Sequence, residues 1–313
     1  MSRNRCLRLA PIAAVCLLPQ VTTAIDIQFN YSFDTNNFFN GHPERQAVME
    51  KIALTFESRI TDDLTAITPG GSNNWTAVFD NPSTGAEENL NNLTIPAGVI
   101  VIYAGARNLP SGNLGIGGPG GFSAGGTQAF LNNVAVRGQL GGLATPKTDF
   151  GPWGGTVTFD IDTTWYFDPD ITTVELMATM FDFYSVGLHE VGHLLGFGTA
   201  PSWDTHVNGA LFTGPASTAE NGGVSVPLTL DGSHWAEGTM SDVTSPVTLP
   251  TQEAAMDPTI TIGQRKYFTE LDFAGLDDLG WQIIPEPCSA AFLLAGSFVL
   301  SGLVRRRPTT TVP

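Results

Sequence analysis

Residues 189–193 read His-Glu-Val-Gly-His, and no other stretch constrains the fold as tightly. Two residues four apart on a helix lie one above the other on the same face, so both imidazoles can address a single point. The run must then be helical, packed on its other sides, and open where the rings converge. With five His and twelve Glu in the chain, this spacing is expected by chance only ~0.003 times. Zn²⁺ accepts imidazole nitrogen and prefers four ligands in a tetrahedron. His189 and His193 are therefore predicted metal ligands. Glu190 adjoins the same face without having to be a ligand, and is predicted to be the general base that takes a proton from a zinc-bound water.

A hydrolytic zinc site needs a third protein ligand and an open fourth position. Thiolates are excluded from the middle of the chain, because Cys6, Cys16 and Cys288 all lie in the terminal segments. Of the other histidines, His42 sits far upstream beside Pro43, His206 follows His193 in a predicted loop, and His234 lies in Gly232-Ser233-His234-Trp235. Glu237 is a carboxylate alternative, although Gly238 and Thr239 beside it are poor helix formers. Ligand chemistry alone leaves His234, His206 and Glu237 open.

Composition narrows the rest. Charged residues are 14% of the chain and Gly 35 of 313 residues, against typical values of ~25% and ~7%. Short strands and loops fit this better than a helical bundle. Between residues 25 and 284, eight basic residues stand against 29 acidic ones. No basic stripe is available to neutralise phosphates, so nucleic acid is excluded as a partner. Some of the carboxylates are candidates for structural Ca²⁺.

Alternation predicts a strand over Ile25–Phe33, and Pro43 opens a predicted helix to Ile60. Val99–Tyr103 reads as a buried strand, Asn108–Gly126 as a Gly-rich surface loop, and Gly155–Phe167 as a strand leading to a turn. A long helix is predicted from Thr173, its cap, with Glu175 in the first turn, through Leu195 to the stop at Gly196. Thr269 caps a further helix that reaches about Leu279, with Gly280 as its stop.

The ends read as addresses. Arg3, Arg5 and Arg8, the apolar run Leu9–Leu18 and small residues up to Ala24 predict a signal peptide over 1–24. At the other end come Pro285-Glu286-Pro287, an apolar run of 17 residues from Cys288 to Val304, and Arg305-Arg306-Arg307. That run is at the lower limit for a membrane span, with its basic end cytoplasmic. The order of these three elements over 285–313 resembles the PEP-CTERM sorting signal. The resemblance implies a Gram-negative bacterium, transient membrane anchoring through the C-terminal helix, processing by an exosortase-type enzyme, and a cell-surface or exopolysaccharide-associated destination.

The stretch between Thr156 and Trp281 resembles the metzincin metalloproteases. His189-Glu190-Val191-Gly192-His193-Leu194-Leu195-Gly196-Phe197 is similar to their active-site motif, with the His-x-x-Gly-Phe ending of leishmanolysin-type enzymes. Ala254-Ala255-Met256-Asp257-Pro258 is similar to their Met-turn. Gly155–Asp160 with Trp165 is similar to the strand before the matrixin active-site helix, and Thr269–Trp281 to the helix that closes the lower subdomain. The chain departs at residue 199, where the compact motif has a third His and this sequence has Thr199. The resemblance implies His234 as the displaced third ligand, Met256 beneath the metal, and Tyr267 as a candidate oxyanion stabiliser. It implies an α+β, zincin-like catalytic domain over 25–284, with a mixed twisted sheet, an active-site helix and an irregular C-terminal subdomain. The expected activity is zinc-dependent hydrolysis of peptide bonds in a peptide or protein substrate. A surface or matrix structural protein that keeps an inactive zinc site, and a zinc hydrolase acting on a small amide, are the alternatives.

Overall fold

Strands buried on both faces need near-continuous apolar runs, and Val99–Ala106 supplies one at the centre of the main sheet. The computed structural model describes residues 25–173 and 178–284; the sequence-predicted leader, Glu175 and the sorting tail lie outside them. In chain order come β1 (Asp26–Asn30), α1 (Pro43–Glu57), β2 (Asn74–Asp80), β3 (Glu87–Asn91), β4 (Val99–Arg107), β5 (Gly115–Pro119), β6 (Gly121–Gly125), α2 (Gln128–Val136) and β7 (Gly154–Asp160). The short parallel pair β8 (Trp165–Tyr166) and β9 (Phe181–Asp182) then leads into α3 (Phe183–Leu194). The fold is mixed α+β.

The main sheet has the order β1-β4-β7-β5, with β1, β4 and β7 parallel and β5 antiparallel at the edge. All of β7 and most of β4 are buried. On one face pack α1, through Val48, Met49, Ile52 and Phe56, and α3. Phe38, Phe39, Phe159 and Phe183 pack between them at ring separations of 4.3–6.3 Å. A second sheet, β3-β2-β6, closes a smaller core of Trp75, Phe79, Tyr103 and Trp153. After α3 the chain is irregular and collects around Phe197, Trp203, Phe212 and Trp235. The last regular elements are a hairpin, Met240–Val243 with Leu249–Glu253, and the helix Glu270–Asp278. Among the described residues no helix is long and apolar enough to cross a membrane.

Three sequence expectations need correction. The Gly-rich segment 108–126 is not merely a surface loop: it forms β5 and β6, whose pairing is made by backbone groups that glycine supplies as well as any residue. The predicted strand Gly155–Phe167 is interrupted, because Asp160 holds a turn. Its carboxylate accepts from Leu109 N at 2.9 Å and Thr163 Oγ1 at 2.6 Å, and its carbonyl from Trp165 Nε1 at 2.8 Å. The long helix begins at Phe183 and not after Thr173, whose hydroxyl bonds within its own turn to Asp170 O at 3.1 Å. The cap is Asp182, backed by an arginine 83 residues away that no local pattern announces.

Arg137 ties together the backbone around residues 65, 96–99 and 152. It lies fully buried in a left-handed conformation, with φ at 48°. Its guanidinium donates to the carbonyls of Thr65 (3.0 Å), Pro96 (3.0 Å), Val99 (2.6 Å) and Pro152 (3.2 Å). Burial lowers its pKa to about 10, which leaves it cationic at neutral pH. Arg137→Met strands these carbonyls and is expected to cost ~3 kcal/mol of unfolding free energy. Urea denaturation reads this as a lower midpoint at constant slope; an unchanged midpoint would contradict the role given to Arg137.

Candidate metal centre

The N-terminus of α3 is fixed by charge. Asp182 Oδ2 accepts from Ser185 N (3.1 Å) and Ser185 Oγ (2.6 Å), completing the cap. Arg265 meets the same carboxylate with both arms, Nη2 to Oδ1 at 2.8 Å and Nε to Oδ2 at 3.0 Å, with both side chains fully buried. Such a two-pronged pair fixes direction as well as distance. The helix therefore enters the core at a set angle, with His189 and His193 on the face turned to the cleft.

Three imidazoles converge there. The Nε2 atoms of His189 and His193 are 3.0 Å apart, those of His193 and His234 3.0 Å, and those of His189 and His234 3.2 Å. Nitrogens bound tetrahedrally to zinc at ~2.0–2.1 Å are separated by about 3.3 Å, so the trio has nearly the dimensions of three tetrahedral ligands. The outer nitrogens are already engaged. His189 Nδ1 donates to Ala255 O (2.7 Å) and His193 Nδ1 to Phe197 O (2.8 Å), while His234 Nδ1 pairs with Ser233 Oγ at 2.9 Å. A carbonyl acceptor requires the proton on Nδ1, which leaves Nε2 of His189 and His193 with a bare lone pair. Burial and the neighbouring imidazoles push His189 well below the usual histidine range and His193 down to about 4, so both rings are neutral. Lone pairs facing one point repel unless a cation stands between them, and imidazole is a ligand of choice for Zn²⁺. The residues fit that ion.

Each ring is placed by a different device. Beyond His193 the chain turns at Gly196, with φ at 110°, and brings Phe197 O back under the ring. Thr199, at the position of the compact motif's third histidine, instead donates to His193 O at 2.7 Å and ties off the helix end. His234 rides on a loop held by two indoles. Trp203 Nε1 donates to Gly232 O (2.9 Å), and Trp235 Nε1 to Asp272 Oδ1 (3.0 Å). The turn through Ala255 and Met256 passes directly beneath α3. A Cβ added at Gly192 would lie 2.6 Å from Met256 Sδ, so glycine is required for that approach. Asp272 holds the turn, accepting from Ala255 N (2.9 Å) and Met256 N (3.2 Å), and from Thr269 N and Oγ1 at 2.8 Å each.

Glu190 is 5% exposed and lies beside β5, with the N–H of Gly117 directed at its carboxylate. Burial pushes its pKa up to about 8; that N–H pulls the other way, and a cation at the trio would lower it further. The histidines and Glu190 share a cleft of about 500 Å³ that runs between β5 and the segment Ala255–Ile260.

Other expected site residues lie elsewhere. His206 Nε2 bonds to Asp278 O at 3.1 Å, apart from the trio. Glu237 joins Glu253 and Asp257, with ligand oxygens within 4.8 Å of one another, in a separate acidic group. Lys266 Nζ already supplies a cation there, 2.8 Å from Glu253 and 2.7 Å from Asp257. Tyr267 does not line the cleft. Its ring is buried and its hydroxyl donates to Ile171 O at 2.8 Å, which withdraws it from the oxyanion role suggested by sequence. Sequence reasoning missed Ser233, Arg265 and Gly117, and saw Asp272 only as part of a helix start. No family model, characterised protein or solved structure matches this chain.

Two predictions follow from this geometry. His234→Ala is expected to abolish or greatly weaken zinc binding, while His206→Ala and Glu237→Ala keep one ion per chain, as measured by atomic emission after gel filtration. Metal loss in either of the latter with a filled site in His234→Ala would relocate the third ligand. Asp272→Asn leaves donors of the Met256 turn unpaired, and is expected to weaken zinc affinity ~10–100-fold and lower stability by about 2–4 kcal/mol. Chelator competition and denaturant melts measure both; a wild-type affinity would contradict the link between Asp272 and the ligands.

Proposed function

We propose that the chain is a zinc-dependent endopeptidase of metzincin type, built on a zincin-like α+β domain. The observation that carries the proposal is the convergence of three imidazoles, their Nε2 atoms 3.0–3.2 Å apart, with a buried carboxylate in the same open cleft. Bound zinc would supply Lewis acidity to a water and to the scissile carbonyl. His189, His193 and His234 would hold it, with their outer nitrogens fixing the rings.

Strand β5 offers a way to hold an extended substrate. Leu114 O accepts from Asp160 N and Gly120 N donates to Gly154 O, both at 2.9 Å. Antiparallel pairing alternates, so the even residues of this strand turn their peptide groups to β7 and residues 115, 117 and 119 turn theirs to the free edge. A peptide laid along that edge gains backbone hydrogen bonds with little demand on its side chains, which suits a protein substrate. Glu190 lies where the edge meets the histidines. Its carboxylate takes a proton from the attacking water and delivers it to the leaving amine. Its place in the cleft beside the histidines suits a group that must hold that proton in mid-reaction.

The terminal segments extend the proposal to export by the leader and release of the C-terminal run by an exosortase-type enzyme at the surface of a Gram-negative cell. Glu190→Gln is expected to retain one zinc per chain and to lose casein hydrolysis by ~10²–10⁴-fold. Chelator-sensitive casein cleavage by the parent protein, beside metal analysis of both, makes the test. Wild-type cleavage by the zinc-loaded variant would sink the proposed mechanism.

A further inference from the structure

β5 lies unusually close to α3, and the contact falls on Glu190 itself. A Cβ added at Gly115 would stand 2.6 Å from Glu190 Oε1, 2.7 Å from its Cγ and 2.8 Å from its Cδ. Carbon atoms in ordinary contact are ~3.5–4.0 Å apart. A Cβ at Gly117 would overlap the carbonyl oxygen of Glu190 outright. Neither residue is among the positive-φ glycines, so backbone conformation does not demand glycine at either place; space does. Gly118, in the same strand, has open space around its Cβ position. The tight approach is therefore confined to the two glycines whose peptide groups face the cleft edge. The Gly117 N–H also points at the Glu190 carboxylate.

We propose that Gly115 and Gly117 are positioning residues for Glu190: their missing side chains let the edge strand close onto α3 and set where its carboxylate rests in the cleft. Gly115 leaves the volume that the side chain of Glu190 occupies. Gly117 brings the strand's backbone against the helix, so that the carboxylate and the outward peptide groups that would hold a substrate are registered to each other. This inference rests on the hydrolytic function proposed above. A catalytic group displaced by about 1 Å loses ~10²-fold in rate.

The test is a double-substitution cycle in the full-length, zinc-loaded protein, with a fluorogenic peptide as substrate. Gly118→Ala is expected to stay within about twofold of the parent. Gly115→Ala should retain its zinc and lower kcat ~10²-fold with KM little changed, because it intrudes on the carboxylate and not on the edge. Gly117→Ala should lower kcat and also raise KM, because it drives the strand off the helix. Glu190→Ala removes Cγ, Cδ and Oε1, the three atoms that a Cβ at 115 would meet, and so vacates that volume. In that background Gly115→Ala should therefore lower the melting temperature far less than it does in the parent, which is strong coupling between the two sites. Equal losses of melting temperature from Gly115→Ala in both backgrounds would show general damage to the strand and overturn the proposal, as would full activity in Gly115→Ala alone. If the parent cleaves nothing, the hydrolytic function itself fails. The melting-temperature cycle needs no activity and then still decides the steric claim: Gly115→Ala should lower the melting temperature of the parent more than that of Glu190→Ala, and equal shifts would overturn it.

Discussion

One buried carboxylate holds the lower half of the site together. Asp272 accepts hydrogen bonds from Trp235 Nε1, Ala255 N, Met256 N, and the N and Oγ1 of Thr269. It is fully buried, and a buried charge is tolerable only when its oxygens are saturated in this way. Through Trp235 it fixes the residue next to His234. Through Ala255 it fixes the carbonyl that orients His189, and through Met256 the side chain on which Gly192 rests. Three segments far apart in sequence thus take their positions from one side chain on the C-terminal helix.

The upper half rests on a second buried charge. Arg265 and Asp182 set the start of α3, and Ser185 joins them by accepting from Lys266 N at 2.7 Å. Residues 265–272 therefore anchor both ends of the cleft wall, α3 above and the Met256 turn below. Breaking a buried pair of this kind by removing one partner typically costs ~3–5 kcal/mol, because the other charge is left stranded. This bracing fixes the helix and the turn from which the histidine rings converge.

The legible parts of the site were those encoded within a few residues. The period of the helix places His189 and His193 together, and the Thr269 cap with Asp272 three residues on announces the last helix. His234 was reached by likeness to the Met-turn and its flanks, since ligand chemistry alone also admitted His206 and Glu237. The start of α3 was misplaced because Thr173 is a good cap in isolation, whereas Asp182 owes its advantage to Arg265, distant in sequence. The Gly-rich run around β5 carries no propensity signal, and its role appears only when the strand meets Glu190. Tyr267 was assigned by its place after Met256, but its hydroxyl finds Ile171 instead. In each of these misses a long-range contact decides what local pattern leaves open.

Everything proposed for the cleft rests on three imidazoles, from 189, 193 and 234, that could hold one ion. Zinc K-edge X-ray absorption on the purified, zinc-loaded protein tests it most directly. A four-coordinate ion is expected, with three imidazole nitrogens at ~2.0–2.1 Å, identified by the outer-shell scattering of three rings, and a single light atom completing the shell. Two imidazoles with a carboxylate, or a protein that binds no stoichiometric zinc, would contradict it.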